Sequence, residues 1–331
     1  MGLTKLLSSV AVVALACMTG AQAQVKPLPW DGRGQDVTVA TLENKFMLHI
    51  LKQRQSGTGN PADYITVQPK GRSPAFNGDT GVINIAVDDK AIFGGQTTFR
   101  RTELVQNVAG ETSGTTFFRA SIMANSAIKN KHQWQVFFPE SHQWEVFVDA
   151  TVTPNKIQFR TEARVQWEVE FSTKTWYNFG IAVAPSGMTL YTSTGNAALS
   201  KKWSDNKAIT PTNNYELHFG LLTLSQTGGA PSMVAGQDIL SFNGVTVENK
   251  VSTSGGAGGA SAPAPGAGAD ATPAPAPSQT TKAPANNNNK KPSPSPTVKP
   301  APNTKAPTQA PATQAPATQA PSAGGKCNRR A

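Results

Sequence analysis

Three short stretches hold the residues best placed to move protons. In "FRRTELV" (99–105), Arg101 and Glu103 stand two apart. In "PESHQW" (139–144) the same spacing joins Glu140 and His142, and in "YELHFGLL" (215–222) it joins Glu216 and His218. Residues two apart on an extended chain point to the same side. Each stretch therefore shows a carboxylate with a cation or an imidazole on one face and apolar neighbours on the other. His132, in "KHQW", is a fourth candidate. One such pair is an ordinary ion pair on a wet surface. Three strands that each turn ionisable groups away from the core make a set fitted for general acid–base catalysis.

Roles follow from neighbours. Arg101 beside Glu103 favours the ionised carboxylate, as a base requires. Glu140 is flanked by Phe137, Phe138 and Trp144, and desolvation by them would hold its proton longer, as an acid requires. Pro139 cannot donate to a sheet ladder, which predicts a bulge or ladder break that turns Glu140 into a cleft. His218 is assigned to positioning substrate or orienting a carboxylate. Of six tryptophans, all in one domain, one or two are expected at a sugar subsite and the rest in the core; Trp134 is the candidate. The chain has no H-x-x-x-H, C-x-x-C, EF-hand or G-x-S-x-G pattern, so no metal, cofactor or serine nucleophile is expected.

The elements that must carry these residues are strands. "RVQWEVEF" alternates, with Val165, Trp167, Val169 and Phe171 on one side and Arg164, Gln166, Glu168 and Glu170 on the other. Similar runs recur at "VINIAV", "TTFFRASI", "WQVFF", "WEVFV", "KIQFR", "NFGIAV", "MTLYTS" and "VTVEN", separated by Gly, Pro, Asn and Ser. Long amphipathic helices are nearly absent. The expected fold is all-β: a β-sandwich or jelly roll of two antiparallel sheets.

Composition divides the chain into three. Residues 1–23 read as a secretory signal: Lys5, then an apolar run from Leu6 to Ala16 too short to span a bilayer, then Ala21-Gln22-Ala23 as the cleavage signal. Residues 24–251 form the domain. Residues 252–331 are a Pro/Thr/Ala-rich tail that includes "QAPATQAPATQAPS", expected to be disordered and open to O-glycosylation. The expected product is secreted, extracellular or wall-bound, with no membrane span. The chain carries a net charge of +10, but the tail holds eight Lys and Arg against the single acid Asp270. The domain is close to neutral, which argues against a nucleic-acid partner. The basic tail is a candidate for attachment to acidic cell-wall polymers. Cys17 lies in the signal, so Cys327 alone remains to link one chain to another; otherwise a monomer is expected.

"WDGRG" (30–34), "QTTFRRTEL" (96–104), "HQWQVFFPESH" (132–142), "STGNAAL" (193–199) and "LHFGLLTL" (217–224) occur in the order seen in glycoside hydrolase family 131, which residues 30–249 resemble. The resemblance implies a secreted jelly-roll β-glucanase acting on β-1,3-, β-1,6- and β-1,4-glucans, without a cofactor and with inversion. It implies Glu103 and Glu140 as the catalytic pair and places a site histidine at His218; the reading of the residues themselves adds Arg101, His132, His142 and Trp134, with His218, as candidates for binding substrate or orienting the carboxylates. Two alternatives stay open. R-T-E-L also occurs in jelly-roll polysaccharide lyases, where the Arg neutralises a uronate. The tail also suits a non-catalytic wall-binding protein.

Overall fold

The computed structural model describes residues 24–55, 59–224 and 228–256. All lie in the first of two units, Met1–Gly266. The proposed signal peptide, Cys327 and nearly all of the tail fall outside the described residues.

Among the described residues fourteen strands follow in order: β1 (Trp30–Asp31), β2 (Ile65–Gln68), β3 (Val82–Val87), β4 (Phe99–Ala109), β5 (Thr116–Met123), β6 (Gln133–Pro139), β7 (Glu145–Asp149), β8 (Lys156–Thr161), β9 (Arg164–Glu170), β10 (Tyr177–Ala184), β11 (Gly187–Thr194), β12 (Ser200–Ser204), β13 (Asn214–Leu224) and β14 (Asp238–Glu248). They make two antiparallel sheets. One has the order β12-β11-β10-β5-β14-β3-β2, with β1 added beside β14; the other has the order β4-β13-β6-β7-β8-β9. The result is the expected β-jelly roll. Phe118, Phe137, Trp144, Phe159, Phe179, Phe219 and Phe242 fill the space between the sheets and are wholly or almost wholly buried. Two-residue periodicity explains this, since the alternate residues of the same strands then fall on outer faces.

Alternation fails in two instructive places. Strand β8 pairs Phe159 with Trp167 but Arg160 with Val165, a register shift that leaves β9 one residue longer. This bulge turns Val165 outward, where it is 44% exposed. It also sends Gln166 into a cavity with Thr161 and Trp203 rather than onto the row of Glu168 and Glu170. The second case is β6. Its irregularity lies between Gln135 and Phe137, and Pro139 breaks nothing. Pro139 pairs with Leu217, and the next amide, Glu140 N, donates to Glu216 O at 2.8 Å. The ladder to β7 has already ended at Phe137–Val146, so the missing proline N–H leaves no acceptor unpaired.

The domain runs past the expected boundary at 251. Arg119 is buried, and its Nη1 donates to Ser252 Oγ and its Nη2 to Ser254 O, both at 2.8 Å. Leu199 N donates to Thr253 O at 2.8 Å and Asn77 N to Gly255 O at 3.0 Å. These residues have tail composition, yet the Ser252 hydroxyl and the Ser254 carbonyl both accept from a buried guanidinium, which composition does not reveal. A chain ended at 251 is therefore expected to melt about 5–10 °C below one ended at 256, from the loss of hydrogen bonds to a buried charge. Thermal unfolding of the two truncations measures this. Equal melting temperatures would return the boundary to 251.

Candidate active site

The six-stranded sheet brings the three stretches together. Strands β4 and β13 pair so that Glu103 faces Gly220 and Val105 faces His218; β13 and β6 pair His218 with Phe138. Facing residues share a side of the sheet, so Arg101, Glu103, Glu216, His218 and Phe138 lie on its outer face. Gly220 has φ +154°, and a Cβ there would come within 2.1 Å of Thr102 O. A glycine is required at this point, and the Glu103 side chain lies over bare backbone.

Glu103 is wholly buried. Arg101 grips it with two bonds of 2.7 Å, Nε to Oε1 and Nη2 to Oε2, and Arg101 Nη1 donates to Gln96 Oε1 at 3.2 Å. On its other side, Glu103 Oε2 lies 2.8 Å from His218 Nδ1. The far ring nitrogen, His218 Nε2, lies 3.3 Å from Glu140 Oε2 and 3.4 Å from Glu216 Oε1, with neither aligned as a hydrogen bond. The Glu140 and Glu216 side chains are 59% and 38% exposed, against 2% for His218. The cluster is thus a chain from the interior to the surface: guanidinium, buried carboxylate, imidazole, and two solvent-facing carboxylates.

The charges follow. Burial pushes Glu103 up, but the hydrogen bond to His218 and the charge and hydrogen bonds of Arg101 outweigh it and bring it down to about 2. Burial pushes His218 down, but its contacts with Glu103 and Glu216, and the charges of Glu103 and Glu140, raise it to about 9. Glu216 is lowered by its contact with His218, against partial burial. At neutral pH the centre is an imidazolium held between the carboxylates of Glu103 and Glu216.

The expected residues do not all meet. Arg101, Glu103, Glu140 and His218 do. His142 stands one ring further out: Phe138 lies between it and His218, stacked at 5.5 Å and 5.0 Å. The turn that carries it is closed by His142 N donating to Pro139 O at 2.9 Å, with φ +53° at His142. His142 Nδ1 lies 2.8 Å from Glu145 Oε1, which also accepts from Gln135 Nε2 at 2.5 Å. Arg101, Gln135, Phe138, Glu140, His142 and Glu145 line a cavity of about 400 Å³. His132 is elsewhere, beyond the start of β6, with Nε2 2.7 Å from Ser232 O. Trp134 is wholly buried, its Nε1 donating to Asn130 O at 3.3 Å, and offers no face to a sugar. Nor is Glu140 desolvated by its aromatic neighbours: Phe137 and Trp144 point into the core, and the turn carries the carboxylate out.

Glu216, which the sequence pairs with His218 but to which it assigns no role, joins the cluster. Its spacing from His218 was the available signal. Glu145 and Gln135 were not visible in that way, because their approach depends on the turn at 139–142.

The family described as the glycoside hydrolase 131 catalytic N-terminal domain matches residues 28–253. Among solved structures, the catalytic domain of a GH131 β-glucanase from Podospora anserina aligns with a TM-score of 0.56 at 24% identity, over 69% of this chain and 98% of that one. The catalytic domain of a GH131 protein from Coprinopsis cinerea aligns with a TM-score of 0.56 at 22% identity, over 70% and 98%. Both likenesses support the fold. A search of functionally curated proteins gives no match. Because the family match spans the whole sandwich, from before β1 to beyond β14, the chain belongs to glycoside hydrolase family 131 and is a glycoside hydrolase.

Proposed function

We propose that the protein hydrolyses β-glucan on the outer face of the six-stranded sheet, with Glu140 and Glu216 meeting substrate and water and His218 passing protons between them. The observation that carries this reading is the pair of solvent-facing carboxylates at 3.3 and 3.4 Å from one buried Nε2. Glycoside hydrolysis needs one group to protonate the leaving oxygen and another to take a proton from water. Glu140 gives the leaving oxygen a proton that it draws from His218 Nε2. Glu216 takes a proton from the attacking water and returns it to Nε2. The glycosidic C–O bond breaks, the water oxygen bonds to the anomeric carbon, and the proton cycle closes. A single displacement of this kind inverts the anomeric centre.

Glu103 thereby changes role. With no exposed surface and both oxygens engaged, it holds His218 protonated rather than activating water. The β-glucan substrate is supported by family membership and by the β-glucanase from Podospora anserina. The lyase alternative asks for an Arg free to neutralise a uronate, and here Arg101 spends its Nε and Nη2 on Glu103.

Incubation with β-1,3-, β-1,6- and β-1,4-glucans is expected to release new reducing ends, with α-configured glucose units seen first by NMR. Ultraviolet absorbance rising on alginate or glucuronan, with β-glucan untouched, would favour the lyase; binding without products would favour a wall-binding protein. A β-configured first product would overturn the single displacement. The basic tail and secretion belong to the same proposal: an enzyme exported to act on cell-wall polysaccharide.

A further inference from the structure

We propose that the open edge of the sandwich carries a second glucan-binding site, where a sugar ring stacks on Trp203 and its hydroxyls bond Gln143 and Gln166. The inference rests on the reading that the substrate is β-glucan. The edge lies where β9 and β12, the last strands of their sheets, come together. There, outside the catalytic cluster, a cavity of about 400 Å³ is lined by Gln143, Thr161, Glu162, Gln166, Trp203 and Lys207, among others.

Its chemistry suits a neutral, hydroxyl-rich ligand. Trp203 is only partly buried, with its ring packed at 5.5 Å against core Phe159. That contact holds an aromatic surface in place at low entropic cost. Gln166 is aimed here by the bulge opposite Arg160. Gln143 Oε1 is buried and has no hydrogen-bond partner, and such an acceptor gains from a ligand hydroxyl. Glu162 and Lys207 are paired with each other, and Asp205 Oδ1 already accepts from Met188 N at 2.9 Å. The lining therefore offers an aromatic face and amides, with no free cation and one carboxylate, Asp205, beyond the Glu162–Lys207 pair, which fits a neutral sugar better than a phosphate or a carboxylate.

Position links the cavity to the chemistry. Gln143 follows His142 in the chain, and His142 lines the catalytic cavity. One turn thus touches both cavities, and a glucan long enough to pass it is held at two places at once, which raises apparent affinity for long chains.

The test compares a long β-glucan with a soluble gluco-trisaccharide, using the full chain and two variants. Trp203→Leu keeps an apolar contact with Phe159, and Gln166→Ala removes a polar group without entering the core. For both, KM on the long glucan is expected to rise about fivefold, the equivalent of one modest contact, with kcat/KM on the trisaccharide unchanged. Unchanged KM on long glucan in both variants would overturn the proposal, and so would equal losses on both substrates. If Trp203→Leu lowers the melting temperature, Gln166→Ala decides alone. Should the wild type cleave no β-glucan, the substrate reading falls, and retention on immobilised β-glucan decides instead. Retention that drops in both variants would keep the site, and retention equal in all three proteins would remove it.

Discussion

Glu140→Gln is expected to lower β-glucan hydrolysis by about a thousandfold, in the range that a positioned acid–base group contributes, with the fold left intact. The side chain is 59% exposed and its contact with His218 is at the rim of the cluster. Replacement by an amide of the same shape should therefore move the melting temperature by no more than about 1–2 °C. The loss should depend on the leaving group. An aryl glucoside that departs without protonation should retain much of its turnover, provided it enters the cavity. Glu216→Gln should lose both substrates, because water is then unactivated, and added azide should restore part of the rate as an α-glucosyl azide. Azide rescue of a Glu103 variant instead would mean that Glu103 reaches the anomeric centre and that Glu216 is a bystander. Full activity in Glu140→Gln on β-glucan would place the chemistry elsewhere on the sheet.

Most of this site was legible as pairs and little of it as a network. Period two placed Arg101 with Glu103 and Glu216 with His218 because spacing along one strand is a local property. It could not show that Glu103 is sealed from water. That depends on Gly220 across the ladder and on Arg101 and His218 closing over it. Solvent exposure was misassigned for the same reason. Glu140 reads as desolvated from its aromatic neighbours, but Phe137 faces inward, Phe138 lies under two imidazoles, and the turn lifts the carboxylate free. Aromatic residues misled twice more. Trp134 belongs to the core, whereas Trp203, set among Lys201, Lys202, Ser204 and Asp205 with no candidate acid or base beside it in the site stretches, lies at an open edge whose position depends on which strands end their sheets. The fold itself was readable because hydrophobic alternation and turn residues repeat along the whole domain. Register shifts were not readable, and one of them decides where Gln166 points.

Glu103→Gln should damage stability as well as activity, and the pH dependence separates its role from that of a catalytic base. The change leaves a buried guanidinium and a buried imidazolium without their shared carboxylate. Breaking a buried ion pair from one side costs about 3–5 kcal/mol, which for a domain of this size is about 10 °C in melting temperature. In the wild type, Glu103 is brought down from 4.5 to about 2, so its contribution is present above pH 4.5 and is lost as pH falls through about 2. His218 is raised from 6.5 to about 9, so its contribution is complete below pH 6.5 and is lost as pH rises through about 9. Between 4.5 and 6.5 the pair supports the fold fully, and stability should decline on each side. Glu103→Gln removes the first of the partners that raise His218, so the decline between pH 6.5 and 9 should flatten. The alkaline limb of kcat/KM should move to lower pH, because His218 then loses its proton sooner. Thermal unfolding followed from pH 3 to 10, with activity profiles of both proteins, reads these effects together. If the alkaline slopes of the two proteins coincide, Glu103 does not hold the His218 proton, and the chain from Arg101 to Glu140 is not the device that keeps the site charged.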